Sequence, residues 1–187
     1  MRNFSSDNPK QTTMTTTTDL ASIATAALAS QYDAGLRNLR AVIEVCPDRA
    51  WNAAEDENRF WHIAYHVLFF TDLYMTVREE EYRPWLEGRR DAVPLGENPF
   101  DPEAEFDDSD AYTKEQLLAY LEEVRDRIDE EIAGHDLTGP SGFSWLPMSR
   151  LEAHIYTIRH LQHHTAQLVD RLREREGVHV AWVGMRG

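Results

Sequence analysis

Four stretches of this chain repeat apolar side chains at intervals of three and four residues. A chain patterned in that way has four helical stripes to bury against one another. The first stretch covers residues 20–46, with Thr18 or Asp19 as the expected N-cap. Its stripe is Tyr32, Leu36, Leu39, Ile43 and Cys46, and Pro47-Asp48 stops it. The second covers 57–77, with Ile63, His66, Phe70, Leu73 and Val77 on one face. The third opens at Thr113, which forms a capping-box pattern with Gln116. It carries Leu117, Leu121, Val124, Ile128 and Ile132, and ends at Gly134. The fourth opens near Ser149, just after Pro147, and ends at Gly177. Its stripe reads Leu151, Ile155, Ile158, Thr165, Val169 and Leu172. The fold class expected is all-α, a four-helix bundle.

The connection 80–112 between the second and third helices is long and rich in Pro, Gly and acid. A connection of that length is a candidate crossover, or a roof over a functional site. The loop 135–148 holds Gly139-Pro140-Ser141-Gly142, followed by Phe143 and Trp145, which are expected to pack back on the bundle. The expected organisation is a disordered tail at 1–18, the bundle at 19–177 and a C-terminal tail at 178–187. That last tail is apolar and strand-like, and suited to docking on the bundle or on a partner. Trp182, Val183 and Val180 make a homodimer one such possibility.

At 187 residues the chain is long enough for one domain with a substantial core. Its net charge of -14 argues against general binding to nucleic acid or anionic membranes, both of which present phosphate. The longest apolar runs fall well short of the roughly 20 residues of a membrane span. Acid concentrates at 101–110 and 122–131, read as a solvated loop and a solvated helix face. Cys46 is the single cysteine, so no disulfide forms within the chain. It is expected to be a small buried side chain, and the cytoplasm is the expected compartment.

The chemistry lies in the histidines. His62 and His66 are four residues apart in the second helix, as are His160 and His164 in the fourth. Histidines at that spacing share a helix face, about 6 Å apart along the axis, and both can reach one ion. A third imidazole from a facing helix would complete a three-ligand site with an open coordination position. His66 lies within the apolar stripe of its helix, where a buried ring needs a partner for each nitrogen. On the fourth helix, His160 and His164 are expected to flank the stripe, near the small residues Ala153 and Thr157. His62 is a candidate fourth ligand or supporting residue. His163 is expected in solvent and His154 in the core. All-imidazole ligation favours a divalent transition metal, zinc or nickel first, with iron and copper also open.

Trp61-x-Ile63-Ala64-x-His66 is similar to the helix 2 motif of the DinB/YfiT-like superfamily, in which the histidine is a metal ligand. His160-x-x-x-His164 followed by Gln167 is similar to its helix 4 motif, His-x-x-x-His-Arg-Gly-Gln. The resemblance covers roughly residues 20–175 and includes the long connection. It implies the metal ligands His66, His160 and His164, and it gives His62 no place among them. Thr165-Ala166 departs from the family's Arg-Gly and removes a cation beside the site, which bears on the substrate class.

Characterised relatives include thiol S-transferases that use bacillithiol or mycothiol, a mycothiol-dependent isomerase and metal-dependent hydrolases. Three neutral imidazoles leave a divalent ion its full charge, so that it can activate water or bind a thiolate. The resemblance therefore implies a metal-dependent enzyme that moves a low-molecular-weight thiol onto a small molecule, or hydrolyses one. Gln167, Tyr156 and His62 are candidate supporting residues. The alternative is a non-catalytic, stress-related bundle with a structural metal or none, serving as a binding or dimerisation module.

Overall fold

The computed structural model describes residues 16–96 and 109–187, with side chains from Leu20 onward. Of the expected tail at 1–18, residues 1–15 lie outside that description, as does most of the acidic run 101–110. The described elements are α1 (Thr16–Val45), α2 (Asp48–Trp51), α3 (Phe60–Met75), a 3₁₀ turn (Glu79–Glu81), α4 (Lys114–Ala133) and α5 (Arg150–Glu176). The four long helices form the all-α bundle, with no strand among the described residues.

The helix pairings are α1 with α4 and α5, and α3 with α4 and α5. Residue pairs across these interfaces give the directions. Arg40 bonds Glu122 while Asp33 bonds Arg125, so α1 and α4 run antiparallel. His66 meets His164 while Tyr74 meets Tyr156, so α3 and α5 also run antiparallel. Tyr65 meets Tyr120 while Asp72 bonds Arg127, so α3 and α4 run parallel. The connection between them must therefore travel the length of the bundle, which is why it is long.

The stripes of α1 and α4 are buried as their spacing indicates. Tyr32, Leu36, Leu39 and Ile43 are inaccessible, and so are Leu117, Leu121, Val124, Ile128 and Ile132. The capping box of Thr113 and Gln116 is formed in both directions. On α5 the stripe sits elsewhere than its large residues suggest. Ile155 is 48% exposed, and the inward face is Ala153, Thr157, Leu161, Thr165, Leu168 and Leu172. Three of these six side chains are small or hydroxylated. Thr157 and Thr165 return their hydroxyls to the carbonyls of Ala153 and Leu161 in their own helix. This rotation moves His164 onto the buried face rather than its flank.

Helix α3 is shorter than expected at both ends, and Val77 lies beyond it and is exposed. Thr76 ends the helix by donating its hydroxyl to the Leu73 carbonyl at 2.8 Å. Buried Arg150, at the start of α5, donates to the carbonyls of Tyr74, Thr76 and Val77. A cation is well placed there, because a helix C-terminus carries partial negative charge and unsatisfied carbonyls. Buried Asp72 accepts from Tyr120 at 2.8 Å, from Tyr82 at 3.3 Å and from Arg127. One carboxylate thus ties α3 to α4 and to the connection. Trp85, also in the connection, stacks on Tyr120 with ring centroids 4.5 Å apart.

Pro47 ends α1 and serves as N-cap to α2, a single turn that the apolar spacing did not indicate. Cys46 is buried, and that burial raises its thiol pKa to about 12, in keeping with a packing role. The C-terminal residues dock on their own bundle. Val178 and Val180 pack against the core, and Asn38 both donates to the Val183 carbonyl and accepts from its N–H, at 2.9 and 2.8 Å. Trp182 remains 80% exposed. No helix among the described residues is long and apolar enough to cross a membrane.

The loop before α5 folds on itself. Phe143 and Leu146 are buried against Leu73 and Tyr74, whereas Trp145 packs back only partly and is 46% exposed. Gly142 adopts a φ of +88°, and a Cβ there would run into the Val77 carbonyl oxygen and the Arg150 guanidinium. Gly177 also has a positive φ, +65°, but faces open space. Gly142→Ala should therefore destabilise the fold by about 2–4 kcal/mol, combining strain and overlap. Gly177→Ala should cost only about 1 kcal/mol, from strain alone. Denaturant titrations of the two variants should show that order.

Candidate metal centre

His66 stands on α3, and His160 and His164 stand one turn apart on α5. The antiparallel packing of those helices brings one nitrogen from each ring into a group whose members all lie within 4.8 Å of one another. His66 Nε2 and His160 Nε2 are 3.1 Å apart. The ring centroids are 5.1 Å apart for His66–His160, 4.8 Å for His66–His164 and 4.6 Å for His160–His164.

Two of the three rings are oriented by a partner on the far nitrogen. His66 Nδ1 lies 2.6 Å from the Val93 carbonyl oxygen, and His164 Nδ1 lies 2.7 Å from Gln167 Oε1. Both partners only accept, so each Nδ1 carries the proton and each Nε2 keeps its lone pair. The support of ligating imidazoles by oxygen atoms is a common feature of metal sites. His160 Nδ1 is buried with no hydrogen-bond partner among the described residues.

Burial keeps the group neutral. It is the largest cause lowering the pKa of His66 to about 3, against the opposing pull of the Val93 carbonyl. Burial lowers His160 to about 4, with His164 and His163 adding to the effect. His164 is lowered as well, again by burial first, with Gln167 opposing. Neutral imidazoles are the form that binds metal.

The residues fit an ion. Two nitrogen ligands on a tetrahedral zinc, each at 2.0–2.1 Å, stand about 3.3 Å apart, close to the spacing of the two Nε2 atoms of His66 and His160. No other His, Cys, Asp or Glu among the described residues joins the group. His62 is buried one turn away on α3, where the backbone of Ala92 and Pro94 partly offsets the lowering of its pKa by burial. Asp72 is engaged by two tyrosines and an arginine.

The remaining histidines separate as their positions suggest. His163 is exposed. His154 is buried, with Nδ1 3.0 Å from the Tyr32 hydroxyl and Nε2 2.9 Å from His135 Nδ1. His135 had no expected role, and its pairing with His154 is a tertiary contact without a local signal. Among the candidate supporting residues, Gln167 holds His164, and the Tyr156 ring lies parallel to His160 at 6.3 Å. The sequence reading missed Val93, because a main-chain carbonyl has no side-chain signature.

Fold and site together define an all-helical bundle protein with a three-histidine group able to hold a metal ion. The chain belongs to the DinB superfamily, whose family model matches residues 31–168 and so includes all three histidines. No significant match was found among curated proteins or solved structures.

Gln167→Ala should weaken zinc binding about ten- to hundredfold in competition with a coloured chelator, whereas exposed His163→Ala should leave it unchanged. A second outcome concerns pH. Burial, with Arg150 adding to it, lowers His154 from 6.5 to about 3 and His135 to about 4. Below pH 6.5 the unfolded chain takes up protons that the folded protein refuses. The stability associated with these rings is therefore complete above 6.5 and declines as the pH falls towards about 3. His154→Gln should flatten that decline in melting temperature across the same window.

Proposed function

We propose that this protein is a metal-dependent enzyme that transfers a low-molecular-weight thiol to an electrophilic small molecule, with hydrolysis of a small molecule as the close variant. The reading rests on one observation. Three neutral imidazoles converge from two helices, and no fourth protein ligand among the described residues closes the group. A purely structural site is normally closed by four protein ligands, whereas a catalytic one leaves a position for water or substrate.

His66, His160 and His164 would hold the metal, with zinc or nickel favoured by all-imidazole ligation and iron or copper next. The bound ion supplies a Lewis acid that lowers the pKa of a sulfur or oxygen nucleophile. The protein supplies the rest. Val93 and Gln167 fix two of the rings in one tautomer and one orientation. Phe70 lies against His66 and His160, with ring centroids at 4.9 and 5.6 Å, and packs an apolar ring on that side of the group. The choice of a thiol over water rests on the characterised relatives that the motifs resemble. The cytoplasm, where such thiols stay reduced, is the matching compartment.

Elemental analysis of tag-free protein should find close to one equivalent of a transition metal in the wild type, and none in His66→Ala or His164→Ala. Metal-loaded wild type should then consume a low-molecular-weight thiol in the presence of an electrophile, or hydrolyse an ester or amide, and both variants should be inactive. Metal-free wild type that resists reconstitution would overturn the reading and leave a non-catalytic bundle.

A further inference from the structure

The triad is one end of a longer construction. On α3, His66, Phe70 and Tyr74 succeed one another at intervals of four residues. On α5, Tyr156, His160 and His164 do the same. Side chains at this spacing form a row along one helix face, about 6 Å per step. Because the helices are antiparallel, the two rows face each other in reverse order. His66 meets His164 and His160, Phe70 meets His160 with centroids 5.6 Å apart, and Tyr74 meets Tyr156 at 6.1 Å. Trp145 closes the far end, its indole N–H donating to the Tyr74 hydroxyl at 3.2 Å. A continuous aromatic wall thus leads away from the three imidazoles.

Core packing accounts for Tyr74, which is 5% exposed, but not for the rest of this wall. Tyr156 is 37% exposed and Trp145 is 46% exposed, and Phe70 is only half-buried. The buried work beside them is done by Tyr74, Phe143, Leu146 and Leu73. Large rings left open to water beside a reactive group are characteristic of a binding surface. Thr165-Ala166 brings no cation next to His164, and the exposed charges one turn either side of Tyr156, Glu152 and Arg159, are of opposite sign. The wall offers ring faces and edges, with no net charge beside it to favour an ionic substrate.

We infer that the small molecule brought to the triad is an uncharged aromatic compound, packed on Tyr156 and its neighbours with its reacting atom towards the histidines. The inference rests on the proposed enzyme reading and names the substrate class for it. Tyr156 is the specificity-determining residue, since its ring lies parallel to His160 and the residue is 37% exposed.

The test is equilibrium binding followed by ligand-observed NMR, on metal-free and zinc-loaded full-length protein, with zinc uptake measured separately. The probes are β-naphthol, its saturated counterpart decahydro-β-naphthol, and β-naphthoate. β-Naphthol should bind the wild type, and Tyr156→Ala should weaken it about tenfold. Tyr156→Phe should bind as the wild type does, and so should Trp182→Ala, which removes an exposed ring in the C-terminal tail. The saturated probe should bind several-fold more weakly. Equal affinity in Tyr156→Ala, equal affinity for the saturated probe, or tighter binding of β-naphthoate would each overturn the inference. Naphthol binding without zinc uptake would support the aromatic subsite and sink the metal-enzyme reading. Zinc uptake without naphthol binding would do the reverse.

Discussion

The antiparallel packing of α3 on α5 places rows of side chains, repeated every four residues, face to face in opposite order. Residues nearly a hundred positions apart in the chain become ring-to-ring neighbours through that one interface. Beside that row, α5 turns Ala153, Thr157 and Thr165 inward, and the two threonines satisfy their own hydroxyls within the helix. The antiparallel register is what lets single imidazoles from each side come within reach of a shared point.

Other interactions hold that interface in register. Arg150 leaves the first turn of α5 to satisfy the carbonyls at the end of α3, so the beginning of one helix is fastened to the end of the other. Buried Asp72 fastens the opposite side of α3 to α4 through Tyr120 and Arg127. The connection between α3 and α4 is itself a working part. It sends Tyr82 to Asp72 and Trp85 to Tyr120, and the Val93 carbonyl to His66. A segment required by the parallel course of two helices thus also orients a candidate ligand.

Much of this was legible in the residues. The stripes of α1 and α4 are made of Leu, Ile, Val and Tyr at clean spacing, and they are buried as read. The box of Thr113 with Gln116 and the stop at Gly177 have local chemistry that needs no tertiary context. His66, His160 and His164 could be named from spacing and motif together. The face of α5 could not, because the usual apolar signal is inverted there, with Ile155 outside and Thr157 inside. The partnership of Tyr32, His154 and His135 was invisible for a different reason. It joins three elements, and nothing in the neighbourhood of any one residue announces the other two.

The helix arrangement also governs how the chain must assemble. Helices α1 and α3, neighbours along the chain, lie across the diagonal of the bundle, and so do α4 and α5. The consecutive long helices that do pack together, α3 and α4, are parallel and separated by the longest connection. No simple helical hairpin is available to form first and guide the rest. The contacts between the helices join residues far apart in sequence, which slows folding relative to an up-and-down bundle of the same size. For an all-helical protein this chain has the folding problem of a β-sandwich, in which distant segments must meet before any of them is stable.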